Sequence, residues 1–415
     1  MLKNYFKTAL KVLQRHKLFT FISLFGISFT LLILIVVTSF IEHTFGPVAP
    51  EKKLDRTLSV TMGCLKTESG GTWNGPIFSP WFFEKYVKTL KTPKIISMAS
   101  FHRPTVVYKD KKKLALDVKY VDAEFWEILD FEFLEGGPFY KHDEEDITPV
   151  MVINRHTREK YFDGEMALDQ TIDLYGREFR VVGVVENVSL LRIMPYSDVW
   201  LPITHSKQDF GLPSLVGGFP GWYAMLLASS KADLSTIRQE FDQQMKMIEF
   251  PEGRFNKVIT SASTYGEAMT RNIFESTEGG VAPLMSIAII LMTLFLLLPT
   301  VNLVNINISR ILERSSEIGV RKAFGASSLT LVGQFVVENV IITLIGGFIS
   351  LLLAVVVLHL INSSGMIAHL HLIINLKVFL VSMGIALFFG LLSGVYPAYK
   401  MSRLHPVEAL RGGQK

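Results

Sequence analysis

Few residues in this sequence have the types and the spacing that catalysis or metal binding requires. His369 and His371 are two residues apart, but no cysteine, carboxylate or third histidine beside them in the sequence completes a set of metal ligands. The sequence contains no GxxxxGK[ST] phosphate loop, no HExxH and no GxSxG. We therefore predict no catalytic residue, no metal site and no cofactor held by this chain.

One charged stretch has the spacing of a helical face. Glu313 and Glu317 are four residues apart, as are Glu317 and Arg321, so a helix here would carry charges of alternating sign along one side. Gly325 can end that helix, because glycine tolerates a positive φ. From periodicity alone, an ordinary charged connector beside a membrane span is favoured over an element that conveys motion from a cytoplasmic partner.

A second candidate is a carboxylate in a long apolar context. Ionisable groups within membrane spans are costly and mark functional sites, which makes Glu338 a candidate. We favour an interfacial location, with residues 329–337 lying along the interface and Glu338 near headgroup water. Gly346 and Gly347 follow in the same apolar region. Gly390 and Gly394 form a GxxxG pair, which permits close helix contact but is equally expected in an ordinary membrane helix.

Four uncharged stretches are long enough to position these residues in a membrane. Residues 18–41, 279–309, 339–376 and 378–399 lack Asp, Glu, Lys and Arg over about the 20 residues that a spanning helix needs. Lys and Arg accumulate in residues 1–17, 310–322 and 400–415, whereas residues 361–375 contain neither. Since these cations gather on the cytoplasmic side, both termini and the middle loop are predicted to be cytoplasmic.

Composition narrows the possible partners. The net charge of +4 is small and concentrated beside the predicted spans, which favours anionic lipid headgroups over nucleic acid. Cys64 is the only cysteine, so no intrachain disulfide can form, and its role stays open. The first apolar stretch is longer than the core of a signal peptide, which favours an uncleaved anchor.

The predicted fold is membrane α-helical, with four transmembrane helices (TM1 to TM4) and a large α+β extracytoplasmic domain inserted between TM1 and TM2. The predicted segments are a cytoplasmic amphipathic helix (1–17), TM1 (18–41), the extracytoplasmic domain (42–280), TM2 (281–309), a cytoplasmic coupling segment (310–328), an interfacial lead-in with TM3 (329–360), a short outer loop (361–376), TM4 (377–399) and a cytoplasmic tail (400–415).

Strands and short helices alternate within the inserted domain, which indicates an α+β fold. Strands are predicted at residues 95–101, 105–108, 114–121, 149–154, 171–175 and 179–185, and a helix at 234–247. Asp122 is predicted to cap a short helix that ends at Leu129. A division into two subdomains, the second near residues 139–222, is also predicted.

The segment between the second and third spans carries a family resemblance. Residues 313–326 read ERSSEIGVRKAFGA and are followed by Gln334, Glu338 and the Gly346-Gly347 pair. This resembles the E-R-x-x-E-I-G-x-R-x-A-x-G-A pattern of MacB/FtsX-type ABC transporter permeases. The tail YPA at 396–398 with RLHPVEALR at 403–411 is similar to the family's ending, although Lys400 and Met401 stand where the family has a small residue. Weaker similarity to the MacB-like periplasmic core domain includes Gly164, residues 170–172 and residues 179–184.

The resemblance implies a permease subunit of a mechanotransmission (type VII) ABC transporter in the bacterial inner membrane. It would pair with a second permease copy or a paralogue and with a separate MacB/LolD/FtsE-like ATPase that holds ATP and Mg. A periplasmic adaptor, lipoprotein or hydrolase is a further expected partner. The residues implied to couple to the ATPase are Glu313, Arg314, Glu317, Ile318, Gly319, Arg321, Lys322, Gly325 and Ala326.

Three functions stay open at this point. The first is efflux, or lipoprotein or peptide handling, driven by the partner ATPase. The second is an FtsX-like regulator that activates a cell-wall hydrolase and moves no substrate. The third is a membrane receptor that works without an ATPase. The sequence does not choose the substrate or the regulated partner.

Overall fold

A computed structural model describes residues 14, 15, 17–109, 112–251, 253–268 and 327–402, with isolated positions between 286 and 324. The described residues fall into two compact units. The helical unit takes its residues from 1–42, 284–364 and 372–415, and the sheet unit takes its residues from 43–283 and 365–371. The chain therefore passes between the two units four times.

The α-helices in the described ranges are α1 (Lys17–Phe45), α2 (Pro80–Phe82), α3 (Glu124–Ile128), α4 (Lys141–Glu145), α5 (Arg155–Tyr161), α6 (Leu234–Lys246), α7 (Ser328–Ser363) and α8 (Leu376–Ser402). Local capping explains where two of them begin. The Ser327 side chain accepts a hydrogen bond from the Thr330 amide at the start of α7. The Asn375 side chain accepts from the amides of Lys377 and Val378 at the start of α8.

Two helices are long and apolar enough to cross a membrane within the part of the chain that is described, Thr20–Phe45 and Val332–Ser363. A shorter apolar helix covers Leu376–Phe388. The predicted TM2 at 281–309 lies outside the described residues apart from a few positions, so the prediction of four spans stays a prediction. The lead-in at 329 and TM3 form one unbroken helix, α7.

The helices of the helical unit meet through interlocking aliphatic side chains. Ile27 and Leu31 of α1 are buried against Ile341 and Ile342 of α7. A Cβ atom at Gly346 would lie 2.8 Å from Ile27 Cγ2 and 3.0 Å from its Cβ. Glycine is thus required at 346 by the close approach of α1.

We expect Gly346→Ala to destabilise the helical unit by about 1–3 kcal/mol, because β-branched Ile27 cannot move aside cheaply. The matched control is Gly333→Ala on the same helix, where an added Cβ meets nothing within 4 Å. That control should be neutral or slightly stabilising. Thermal unfolding of both variants in one detergent compares them, and equal melting temperatures would contradict the predicted α1–α7 contact.

A mixed ten-stranded sheet forms the centre of the sheet unit. Its strands are β1 (Thr57–Val60), β4 (Ile95–Ser100), β5 (Arg103–Lys109), β6 (Lys112–Val121), β7 (Phe133–Gly136), β8 (Val150–Asn154), β9 (Thr171–Leu174), β10 (Arg177–Val185), β11 (Val199–Pro202) and β12 (Trp222–Leu227). Eight of them follow the order β1-β12-β4-β6-β11-β8-β10-β7, while β5 pairs with β6 and β9 with β10. A separate antiparallel sheet has the order β13-β2-β3, formed by β2 (Gly63–Thr67), β3 (Thr72–Gly75) and β13 (Phe255–Thr260).

The sheet unit confirms the predicted α+β architecture but not the predicted subdomain boundary. Strand β6 pairs in parallel with β11, and β11 pairs with β8, so hydrogen bonds run continuously across residue 139. A division near that residue would cut through the ten-stranded sheet.

Asp122 does not cap the helix that follows it, contrary to the prediction. Helix α3 has Ala123 at its N-cap position, without a side-chain bond. The Asp122 carboxylate instead accepts from the Ser97 hydroxyl and the Met98 amide, at 2.7 Å each. It therefore joins β4 to the end of β6. Burial raises the pKa of Asp122 to about 6, because desolvation disfavours the charged form.

Glu144 of α4 is a second buried carboxyl in this region. Its side chain is 6% exposed, and Oε2 lies 3.5 Å from Lys141 Nζ. Burial, with Asp122 and Glu124 nearby, raises the pKa of Glu144 to about 7. Because the folded pKa exceeds the unfolded one, ionisation of Glu144 reduces stability progressively from about pH 4.5 to about pH 7.

We expect Glu144→Gln to stabilise the sheet unit by about 1–2 kcal/mol above pH 7, because it removes a buried charge that Lys141 and the Ala123 amide offset only in part. Below about pH 4.5 the variant and the wild type should be equally stable. Urea unfolding across this pH range measures the difference. A variant advantage that does not change with pH would refute the assignment to Glu144 ionisation.

Candidate functional site

The structure describes some of the predicted site residues and not others. The proposed coupling residues, from Glu313 to Ala326, lie outside the described residues. Gly346 faces Ile27 of α1, and Gly347 faces Met383 of α8. Gly390 and Gly394 both lie within α8.

Glu338 is more enclosed than the interfacial interpretation expects. The residue is 1% exposed, and its Oε1 accepts a hydrogen bond of 3.0 Å from Gln334 Nε2, one turn earlier in α7. Asn339 and Thr343 are also buried, and the Thr343 hydroxyl donates to the Asn339 carbonyl. Glu338 therefore belongs to a row of buried polar side chains inside the helical unit.

The most connected feature of the sheet unit is the turn between β10 and β11. We call residues 189–198 the junction segment. Its side chains are mostly buried, with Arg192 at 1% exposure although no strand or helix contains it. Three other segments bond to it, namely residues 46–51 after α1, residues 261–268 before the predicted TM2, and residues 365–371 between α7 and α8. Every described segment by which the chain enters or leaves the sheet unit is among these three.

Arg192 binds the first of these segments. Its Nη1 donates to the Glu51 carboxylate and its Nη2 to the Gly46 carbonyl, at 2.7 Å each. The Arg192 and Glu51 side chains are each 2% exposed. Such a pair is strongly destabilised when one partner is removed, because the other charge is left buried.

Lys119 of β6 bonds to the middle of the junction segment. It is fully buried, and its Nζ donates to the carbonyls of Ile193 and Met194 and to the Tyr223 hydroxyl. Burial lowers the pKa of Lys119 well below its usual range. The middle of the junction segment is thus fixed to the central sheet by the Lys119 side chain, while Asp198 at its end exchanges backbone hydrogen bonds with Asp117 of β6 and Asn154 of β8.

Tyr265 bonds the second segment to the junction segment. Its hydroxyl donates to the Leu191 carbonyl at 2.8 Å, and its ring lies edge-on to Phe45, with centroids 6.0 Å apart. Two residues earlier, Ser263 exchanges two backbone hydrogen bonds with Ser59 of β1. The chain is therefore held on both sides just before it continues toward the predicted TM2.

His369 bonds the third segment, the loop between α7 and α8, to the junction segment. Its Nε2 lies 3.3 Å from Asp198 Oδ1, and the Leu190 amide donates to the Ala368 carbonyl at 3.1 Å. His369 has a φ of 54°, an uncommon value for a residue other than glycine. In the described part of the chain, no group of three or more His, Cys, Asp or Glu residues could hold a metal ion. The contact that His369 makes is an ion pair or hydrogen bond within the sheet unit.

Sequence reasoning did not find the junction segment. Its partners are far apart in the chain, at 141 residues for Arg192 and Glu51 and 171 residues for His369 and Asp198. One available signal is Arg192 itself, a single cation within the apolar run LLRIM. An arginine so placed needs a buried partner, but the sequence does not identify that partner.

These features define a class of protein. Long apolar helices flank an inserted α+β unit that collects the chain segments leading to them, which is the organisation of an integral membrane protein with a large extramembrane domain. Residues 20–244 match the MacB-like periplasmic core domain family, and residues 289–406 match the FtsX-like permease C-terminal family. The chain belongs to the MacB/FtsX family of ABC transporter permeases.

Relatives of known sequence agree with this assignment. The chain is 24% identical over 362 residues to YvrN of Bacillus subtilis, an ABC transporter permease, covering 83% of this chain and 82% of YvrN. It is 26% identical over 290 residues to the pyoverdine export ATP-binding/permease protein PvdT of Pseudomonas fluorescens. That alignment covers 70% of this chain but 42% of PvdT, so the chain spans less than half the length of that relative.

Solved structures of a periplasmic region and of an extracellular domain align with part of the chain. The periplasmic region of MacB from Actinobacillus actinomycetemcomitans aligns at 11% identity with a TM-score of 0.36, covering 53% of this chain and 94% of that one. The extracellular domain of the transporter YknZ from Gram-positive bacteria aligns at 13% identity with a TM-score of 0.35, covering 45% and 91%.

Proposed function

We propose that this permease is the membrane subunit of a mechanotransmission ABC transporter. A separate ATPase subunit, which holds ATP and Mg, works on the cytoplasmic side, and the sheet unit works on a substrate or partner in the periplasm. The chain crosses the bacterial inner membrane four times, with both termini in the cytoplasm. It acts with a second permease copy or a paralogue.

The junction segment is the observation that carries this proposal. Buried bonds from residues 189–198 hold the segments that continue to α1, to the predicted TM2 and to α7 and α8. A displacement of any of these helices along its axis therefore pulls on the same ten residues. Packed and hydrogen-bonded networks of this kind convey motion between distant sites when the element has two arrangements.

The coupling segment supplies the other end of the transmission. The motif around Glu317, Arg321 and Gly325 contacts the ATPase, and its predicted helical face of alternating charge receives the force of nucleotide-driven closure. The role of PvdT in pyoverdine export supports export as the work done by this chain as well. An FtsX-like regulatory role and a receptor without an ATPase are the outcomes against which the proposal is tested.

Co-purification from the native host tests the proposal. The tagged full chain is extracted in mild detergent, and its partners are identified by mass spectrometry and assayed for ATP hydrolysis. We expect a soluble ABC ATPase together with a periplasmic adaptor or lipoprotein. Recovery of the ATPase with a cell-wall hydrolase would favour the regulator. Recovery of no ATPase, under conditions that preserve a known complex of this kind, would favour the receptor.

A further inference from the structure

Three imidazoles interact with the Asp198 carboxylate at one end of the junction segment. His369 contacts Asp198 directly, while the ring of His102 packs against Tyr196 and the ring of His156 against His369. Burial opposes the charge on Asp198, but hydrogen bonds from His369, the Asp117 amide and Asn154 outweigh it and hold the pKa of Asp198 below its usual range. The carboxylate is thus charged and already fully engaged near neutral pH.

His102 follows β4 and lies near Lys119, the side chain that bonds to the middle of the junction segment. Its ring lies edge-on to Tyr196, with centroids 4.9 Å apart. Its Nδ1 is buried and has no hydrogen-bond partner in the described part of the chain, so a proton there would be a buried donor without an acceptor. Lys119, Asp117 and Asp198 are the charged groups that face it.

Burial lowers the pKa of His102, and the nearby cation of Lys119 lowers it further against the opposing pull of Asp117 and Asp198. Protonation of His102 would place a second positive charge beside Lys119. Lys119 holds the Ile193 and Met194 carbonyls, so the charge would act on that clamp.

His156 lies in α5 and faces the anchor of the third segment. Its ring centroid is 4.9 Å from that of His369, and it has no carboxylate within ion-pair distance among the described residues. Burial lowers the pKa of His156, and His369 and Lys160 act in the same direction while Asp198 and Glu159 oppose them. Protonation of His156 would therefore push on the residue that ties the α7–α8 loop to Asp198.

We propose that the junction segment is an acid-labile coupling, in which protonation of His102 and His156 loosens its hold on the membrane-linked segments. A regulatory role for this pH response rests on the proposed transport function. A permease of this design transmits force when the medium around the sheet unit is neutral and transmits less when that medium is mildly acidic. His102 acts on Lys119 and His156 acts on His369. Protonation of either histidine therefore weakens the junction segment, and the two effects have the same sign.

The sign follows from linkage. Because the fold depresses the pKa of both histidines, their stabilising contribution is complete above about pH 6.5 and is lost as the pH falls below that value. The buried carboxyls Asp122 and Glu144 respond in the opposite sense, since acid neutralises them. A measurement of global stability would mix the two effects, so the readout has to be local.

Hydrogen exchange of the full chain in lipid nanodiscs provides that local readout. Exchange is followed by mass spectrometry at about pH 7.5 and about pH 5.5, and rates are corrected for the intrinsic pH dependence of exchange. We expect residues 189–198 and 365–371 to lose protection at the lower pH, because burial lowers the pKa of both histidines and their protonation then costs stability. The ten-stranded sheet should keep its protection.

The double variant His102→Phe with His156→Phe keeps aromatic rings but cannot take up a proton, and it should retain protection at the lower pH. His142→Phe, at a histidine whose side chain is 69% exposed, is the matched control and should behave as the wild type does. The single variant His156→Gln, at a less enclosed position, tests the same idea if the double variant does not fold, and should lose about half of the response on a logarithmic scale.

An unchanged loss of protection in the histidine variants would overturn the proposal, as would a wild-type chain whose protection does not respond to pH. Neither result depends on an ATPase, because the chain is measured alone. Failure of the acid response is therefore distinguishable from failure of the proposed transport function.

Discussion

Arg192→Met is expected to destabilise the sheet unit by about 3–5 kcal/mol, because it leaves the Glu51 carboxyl buried without its cation. Glu51 is 3% exposed, and burial raises its pKa against the opposing effect of Arg192. The orphaned carboxyl would therefore take up a proton more readily in the variant. The loss should shrink as the pH falls, since neutral Glu51 tolerates burial better than the anion.

Two controls separate this effect from loss of an arginine in general. Arg180→Met removes a partner of Asp169 whose side chain is 69% exposed, and should change stability by less than about 0.5 kcal/mol. Arg192→Met combined with Glu51→Gln removes both charges and should recover much of the lost stability. Urea unfolding of the full chain in detergent measures all three. An Arg192→Met cost no larger than that of Arg180→Met would show that the pair does not hold the junction.

Exchanging Glu317 and Arg321 is expected to abolish recovery of the ATPase, a loss of about 2 kcal/mol or more in binding free energy. The exchange keeps an oppositely charged pair at i,i+4, so the helix predicted for this stretch should tolerate it. It reverses the charges that a partner meets. The measurement is the amount of ATPase that co-purifies with the tagged variant, normalised to the permease.

Lys377→Glu is the matched control for that exchange, because it reverses a charge at the start of α8, on the predicted outer side of the membrane. It should leave ATPase recovery unchanged. Equal recovery with the exchanged pair and with the wild type would remove residues 313–326 as the contact site. Hydrogen exchange in the sheet unit provides the check that each variant is folded.

Periodicity predicted the repeating elements well and the irregular contacts poorly. The alternation and β-branched content of residues 114–121 and 179–185 correspond to β6 and β10, because a pleated strand imposes a two-residue period on its buried side chains. Asp122 matched a helix cap by local pattern, yet its carboxylate is bonded 25 residues back, to Ser97. Asp122 makes a non-local hydrogen bond in place of the predicted helix cap. A short stretch of sequence around Asp122 cannot show which of the two bonds forms.

The candidate site likewise contains one part that local sequence predicts and one part that it does not. The motif at residues 313–326 is local, so the family resemblance could identify it without any structure. The junction segment is a set of long-range pairs in an irregular turn, and neither propensity nor spacing predicts which buried arginine meets which carboxylate. The spacing of His369 and His371 did not predict a metal site, and it gave no sign of the long-range contact that His369 makes with Asp198 within the sheet unit.

We propose that nucleotide-driven motion reaches the sheet unit through the junction segment. Hydrogen exchange of the assembled permease and ATPase in nanodiscs, with and without a non-hydrolysable ATP analogue, tests it most directly. We predict a nucleotide-dependent change in protection at residues 189–198 and 365–371, and none when Glu317 and Arg321 are exchanged. A complex that hydrolyses ATP and moves its substrate while protection at these residues stays constant would contradict the claim.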